Sequence, residues 1–224
     1  MLKIAFHENY IYPLEENHRF PMIKYELIPE QLLRENTCSD SNFFKPNLID
    51  DNIVLQTHQV EYFNRFKNLD LSKKEIREIG FPLSKKLVNR ELQIAEGTIK
   101  GVIYSIENGI SMNIAGGTHH AFYDHGEAFC MLNDQAIAAN YLLSNGLAKK
   151  ILIVDLDVHQ GNGTASLFKS NNQVFTLSFH GKKNYPFRKE KSDLDIGFDD
   201  NAGDSEYLKV LKDTIPKVIN EFEP

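Results

Sequence analysis

The chain has 224 residues, 42% of them apolar, which suits one large domain or two small ones with a sizeable core. A formal charge of -6 and the lack of a Lys/Arg cluster exclude a face built for a phosphate backbone. Cys38 and Cys130 have no spacing partner, which argues against a disulfide framework or a Cys-rich zinc site, and no apolar run approaches membrane-spanning length, so a soluble, cytoplasmic protein is expected.

Leu2 to Phe6 reads as a short buried strand. Residues 7–21 are polar, rich in aromatics and punctuated by Pro13 and Pro21, so they read as a long loop. Met22 to Asn36 has helical periodicity that Pro29 should kink or split. Ser39 to Leu48 reads as irregular, Ile53-Val54-Leu55 as a strand, and Glu61 to Phe66 as a helix. Residues 90–107 set Leu92, Ala95, Ile99, Val102, Ile103 and Ile106 at helical spacing, and Gly109 stands near the end as a C-terminal stop. A short strand, Ser111 to Ala115, leads into Gly116-Gly117. A second helix runs from Ala128 or Asn133 to Ser144 and ends at Asn145-Gly146.

Ile151 to Val154 is a continuous apolar run, the pattern of a strand buried on both faces of a parallel sheet, and Val174 to Phe179 is another. The last segment is a helix with Asp204 as N-cap and a kink at Pro216. With no repeat and no composition shift, residues 1–224 read as a single domain. The alternation of helix and strand predicts an α/β fold with a parallel sheet. Ligands of such sheets bind beyond the carboxyl ends of the strands. His119 and His120, Asp155 to His159, and His180 all fall at such ends.

Asp155-Leu156-Asp157-Val158-His159 carries the strongest chemical signal. On an extended segment Asp155, Asp157 and His159 share a face, and Asp with His suits Zn²⁺ or Mn²⁺. The plainer alternative is that Asp155 turns the chain and Asp157 faces water; three polar groups directly after ILIV weigh against it. His119-His120 follows Gly-Gly at a strand end and suits proton transfer. On extended backbone the two rings would point opposite ways, so both reach one site only where the loop turns. His7, His18 and His58 are isolated and read as structural imidazoles. Phe122, Tyr123, Phe129 and Tyr185-Pro186-Phe187 are read as core before pocket lining. Cys130 reads as an inert buried thiol.

The stretches GGTHHAFYDHGEAFCMLND, ILIVDLDVHQGNGTA and VFTLSFH resemble the zinc-dependent histone deacetylase superfamily, on the arginase-like fold. HRFPMIKY and IGFPLS resemble its class IV branch and bacterial relatives. The resemblance implies a three-layer α/β/α domain with a central, mostly parallel sheet. It implies Asp157 and His159 as two zinc ligands, His120 as general base and acid, and His119 as electrostatic support. Asp155 would orient His119, and Asn162 stands where many members pair an Asp with the second histidine. Phe129 matches a wall of the acyl-lysine channel, with Gly117 and His180 also assigned to substrate binding. Asp155 and Ser178 fall where the family often holds a monovalent cation. The implied activity is hydrolysis of an acyl-amide, on acyl-lysine or a small acylated amine, with no nucleic acid and no membrane as partner.

The family's third zinc ligand, an Asp, and its carbonyl-polarising Tyr fall past Pro224, along with further strands of the sheet. Asp193, Asp195, Asp199 and Asp200 read as the solvated rim of a polar loop, not as substitutes. The resemblance therefore implies a C-terminally incomplete member: a fragment, a half completed by another polypeptide, or a decayed product. An exposed sheet edge would then favour self-association. The non-enzyme alternative is an inactive, metal-poor binding or regulatory protein. A two-manganese ureohydrolase is the weaker metal-dependent alternative, because Gly161 stands where that site needs a carboxylate.

Overall fold

The computed structural model describes residues 1–224, which form two compact units, Met1–Tyr141 and Leu142–Pro224. In the first unit β1 (Lys3–Ala5) lies between β2 (Phe43–Phe44) and β3 (Ser111–Asn113), with both pairings parallel. Around it run α1 (Lys24–Arg34), α2 (Asp51–Val54), α3 (Val60–Lys67), α4 (Lys73–Ile79), the long α5 (Lys85–Asn108) and the start of α6 (Asp134–Ser144). The core of this unit is aromatic, with Tyr10, Tyr62, Phe63, Phe66 and Phe81 essentially inaccessible.

The helix ends follow their local chemistry. Ser84 caps α5, its hydroxyl accepting from the Leu87 N–H, and Gly109 closes it in the left-handed region. Ser72 and Glu75 form a reciprocal capping box on α4, a motif overlooked in the sequence. Three expectations are corrected here. Ile53-Val54 belongs to a helical turn, not a strand, because the Asp50 carboxylate caps it by accepting from the Asn52 N–H. Phe43–Phe44, inside the stretch expected to be irregular, pairs with β1. Pro29 does not split α1, which runs through it as one helix.

In the second unit β5 (Val174–Gly181) is central, flanked in parallel by β4 (Ile151–Asp155) and β6 (Leu194–Phe198). The parallel α/β expectation therefore holds, with three parallel strands in each unit. Helix α8 (Asp204–Phe222) covers one sheet face through Val218, Leu211 and Ile215, which pack with Leu177, Phe179 and Phe198. Helix α7 (Asn162–Phe168) follows β4 and packs on β5. β4 is an edge strand of its sheet, and only Ile153 in it is buried, so the expectation of burial on both faces is corrected. Gly203, not Asp204, is the N-cap of α8; Asp204 opens its first turn, where a carboxylate suits the helix dipole. Pro216 lies inside α8 without ending it.

Candidate active site

In the first unit the chain turns sharply after β3, and one buried carboxylate organises that turn. Asp134, the first residue of α6, accepts from the Gly117 N–H at 3.0 Å and the Thr118 N–H at 2.8 Å. The Thr98 hydroxyl of α5 reaches its second oxygen at 2.5 Å. Gly117 takes φ +88, a value that favours glycine, and a Cβ on Gly116 would sit 2.8 Å from the Asp134 carboxylate. The turn brings His119 and His120 together: their ring centroids are 4.1 Å apart, at 46°, and both side chains are buried. This is the turn that the extended-backbone argument required.

His58 is a core imidazole, as its isolation suggested. Its Nδ1–H donates to the Phe122 carbonyl and its Nε2 accepts from the Asn133 N–H, so it is neutral. Burial lowers its pKa to about 4. Cys130 is buried, and burial raises its thiol far above the usual range. Phe129 has φ +70 and is anchored by its N–H to the Ile79 carbonyl, while Ala128 N–H reaches Glu78. These two donors satisfy carbonyls at the end of α4 that the helix leaves open. The Phe129 ring meets Phe20, Phe81 and His18, and the Arg19 guanidinium lies 4.8 Å from its centroid.

In the second unit the strand register lines up Asp155, Ser178 and Asp195 in one row across β4, β5 and β6. His180 shares that face, two residues beyond Ser178. Its Nδ1 is 3.1 Å from Ser178 Oγ and 4.0 Å from Asp195 Oδ1. Burial lowers the His180 pKa, against the opposing pull of Asp195. Asp195 accepts from Gln160 Nε2 and the Ser192 N–H, and Asp193 from Thr176. All four acids are exposed, as the solvated-rim expectation has it, but Asp193 and Asp195 also bond within the fold, while Asp199 and Asp200 lie beside Lys182 and Lys183. The signal missed was β6 itself.

Past β4 the backbone leaves the extended state. Asp155 Oδ1 accepts from the Asp157 N–H at 3.0 Å, and Asp157 Oδ1 from the His159 N–H at 2.7 Å. Two successive side-chain turns thus replace the shared strand face, and one oxygen of Asp155 takes part in turning the chain. The loop still joins the expected donors, with His159 Nδ1 3.0 Å from Asp157 Oδ1 and both side chains half exposed. The Tyr185 ring stands edge-on to His159 at 6.1 Å. Asn162 is buried and opens α7, which appeared in the sequence only as a turn signal. No group of three or more His, Cys, Asp or Glu side chains is gathered to hold a metal.

Parallel strands with histidines and carboxylates at their carboxyl ends define an α/β protein with a hydrolase-type residue set. The model of the histone deacetylase domain matches residues 14–224, and the chain belongs to that family. An uncharacterized protein of Picosynechococcus is 39% identical over 221 residues, covering 99% of this chain and 74% of its own length. The acetoin utilization protein AcuC of Staphylococcus aureus is 26% identical, covering 95% of this chain and 60% of its own. The crystal structure of a histone deacetylase homolog from Aquifex aeolicus superposes with a TM-score of 0.83 at 23% identity. It covers all of this chain, which spans 66% of that structure, and the likeness shows a shared fold.

Proposed function

We propose that the chain is a zinc-dependent amidohydrolase that removes an acyl group from acyl-lysine or a related small acylated amine. Family membership supports the reaction class, and the observation that carries the reading is the buried His119–His120 pair on its held turn. His120 is assigned the proton transfers, from the attacking water and then to the leaving amine. His119 is assigned electrostatic support, with Asp155 and Asn162 orienting the pair. Phe129, Gly117 and His180 are assigned to substrate contact.

Asp157 and His159 offer a carboxylate oxygen and an imidazole nitrogen on one loop, the donor types zinc takes. They fit as two members of the three-ligand set that a catalytic zinc needs, so a further ligand has to join them. A bound ion would supply Lewis acidity and a more acidic water. The Asp155–Ser178 row borders a small, half-open space of about 10 Å³, also lined by Thr164, Thr176 and Ser192, which has room for one water-sized occupant. It supports the assignment of a monovalent cation near Asp155 and Ser178.

Calorimetric titration of the full chain with Zn²⁺ tests the metal assignment without turnover. The expected result is saturable binding near one ion per chain, lost in Asp157→Ala and in His159→Ala. An absence of saturable binding, or binding unchanged in both variants, would favour the metal-poor regulatory reading.

A further inference from the structure

From the hydrogen bonds around the turn we infer that Asp134 is the positioning residue that sets the histidine pair. Its carboxylate is 1% exposed and meets donors from two directions. The Gly117 and Thr118 amides, immediately before His119, supply one side, and the Thr118 hydroxyl adds a contact at 2.7 Å. The Thr98 hydroxyl of α5 supplies the other, and Thr98 accepts in turn from Asn113, the last residue of β3. Asn113 also donates to the Ile94 carbonyl. A single chain of bonds therefore ties β3, α5 and α6 to the two peptide units that aim His119 and His120.

The geometry leaves this carboxylate no slack. A Cβ at Gly116 would press on it at 2.8 Å, so the chain lies against it as closely as a glycine permits. Charged acceptors bind amide N–H groups about twice as strongly as neutral ones. An Asn at 134 keeps the shape but turns an NH₂ toward one set of donors, where it can only repel. The expected consequence is a rotated Gly117-Thr118 segment and imidazoles displaced from their setting. Misplacing a catalytic group by 1 Å can cost roughly 100-fold in rate.

The catalytic consequence rests on the amidohydrolase reading, whereas the positioning does not. The test is imidazole ¹H–¹⁵N NMR of the full chain, wild type against Asp134→Asn, with the two rings assigned by His119→Gln and His120→Gln. The inference expects the His119 and His120 resonances and titration midpoints to move in Asp134→Asn, while those of His180 stay in place. In a turnover assay kcat should fall about 10- to 100-fold with KM within about twofold. Unchanged His119 and His120 signals in a folded Asp134→Asn protein would overturn it. Should that variant not fold, Thr118→Val, which removes the hydroxyl's bonds to Asp134 and to the Leu132 carbonyl and keeps both amides, carries the same readout. Wild-type protein that turns nothing over would count against the reaction alone and leave the NMR comparison standing.

Discussion

At the scale of single residues, the chemistry depends on which groups are buried and what they meet. Glu91 is fully buried beside Arg90, which binds its Oε1, while its Oε2 has no hydrogen-bond partner. Burial raises its pKa to about 7, outweighing the pull of Arg90. A folded-state pKa raised above the unfolded value means that the native protein holds the proton longer. Glu91 thus contributes stability that is fully present below pH 4.5 and is lost as pH rises through about 7. Thermal melts between pH 5 and 8 should show this loss, on the order of 3 kcal/mol, and Glu91→Gln should flatten it. A Gln variant with the wild-type pH dependence would contradict the assignment. Asn162 poses a second residue-scale question. If it partners a catalytic histidine as the family resemblance implies, Asn162→Asp raises the basicity of that imidazole. The acid limb of the pH–rate profile should then move upward, and superimposable profiles would count against the partnership.

At the scale of elements, α4 and the 128–129 turn form one device. Gly80 ends α4 at φ +82, and the Phe129 ring lies where its Cβ would be, at 2.9 Å. Gly80→Ala should cost about 1–2 kcal/mol through the left-handed backbone alone, with a further loss from displacing Phe129. Denaturant unfolding measures the first effect. A raised KM for an acyl-lysine peptide would report the second. Elements of this size mark the limit of what the sequence makes legible. The long α5 and the apolar β4 and β5 span enough residues to repeat their period. β2 has two residues and α2 has four, which is too short for a pattern to emerge from the noise. β6 does alternate, as LDIGF, but the exposed acids around it make the stretch look like a polar loop, and the bond from Gln160 to Asp195 appears only in the fold. Asp134 escaped notice for a different reason. An Asp opening a helix looks like an ordinary end residue, and only the fold reveals that its carboxylate faces backwards onto the Gly117-Thr118 amides.

At the scale of the whole molecule, the two units divide the proposed reaction. The first carries the paired histidines, and the second carries the Asp157–His159 donors and the Asp155–Ser178–Asp195 row. The family motifs were readable because each is a run of chemical residues directly after a strand. The geometry within each run was not, since Asx-type turns and a tight glycine turn override strand alternation at both places. The most direct test is hydrolysis of an acetyl-lysine peptide by the zinc-supplemented full chain, wild type beside His120→Ala. The account predicts acetate release by the wild type and a loss of about 100- to 10,000-fold in the variant. No release by the wild type, or equal release by both, would contradict it.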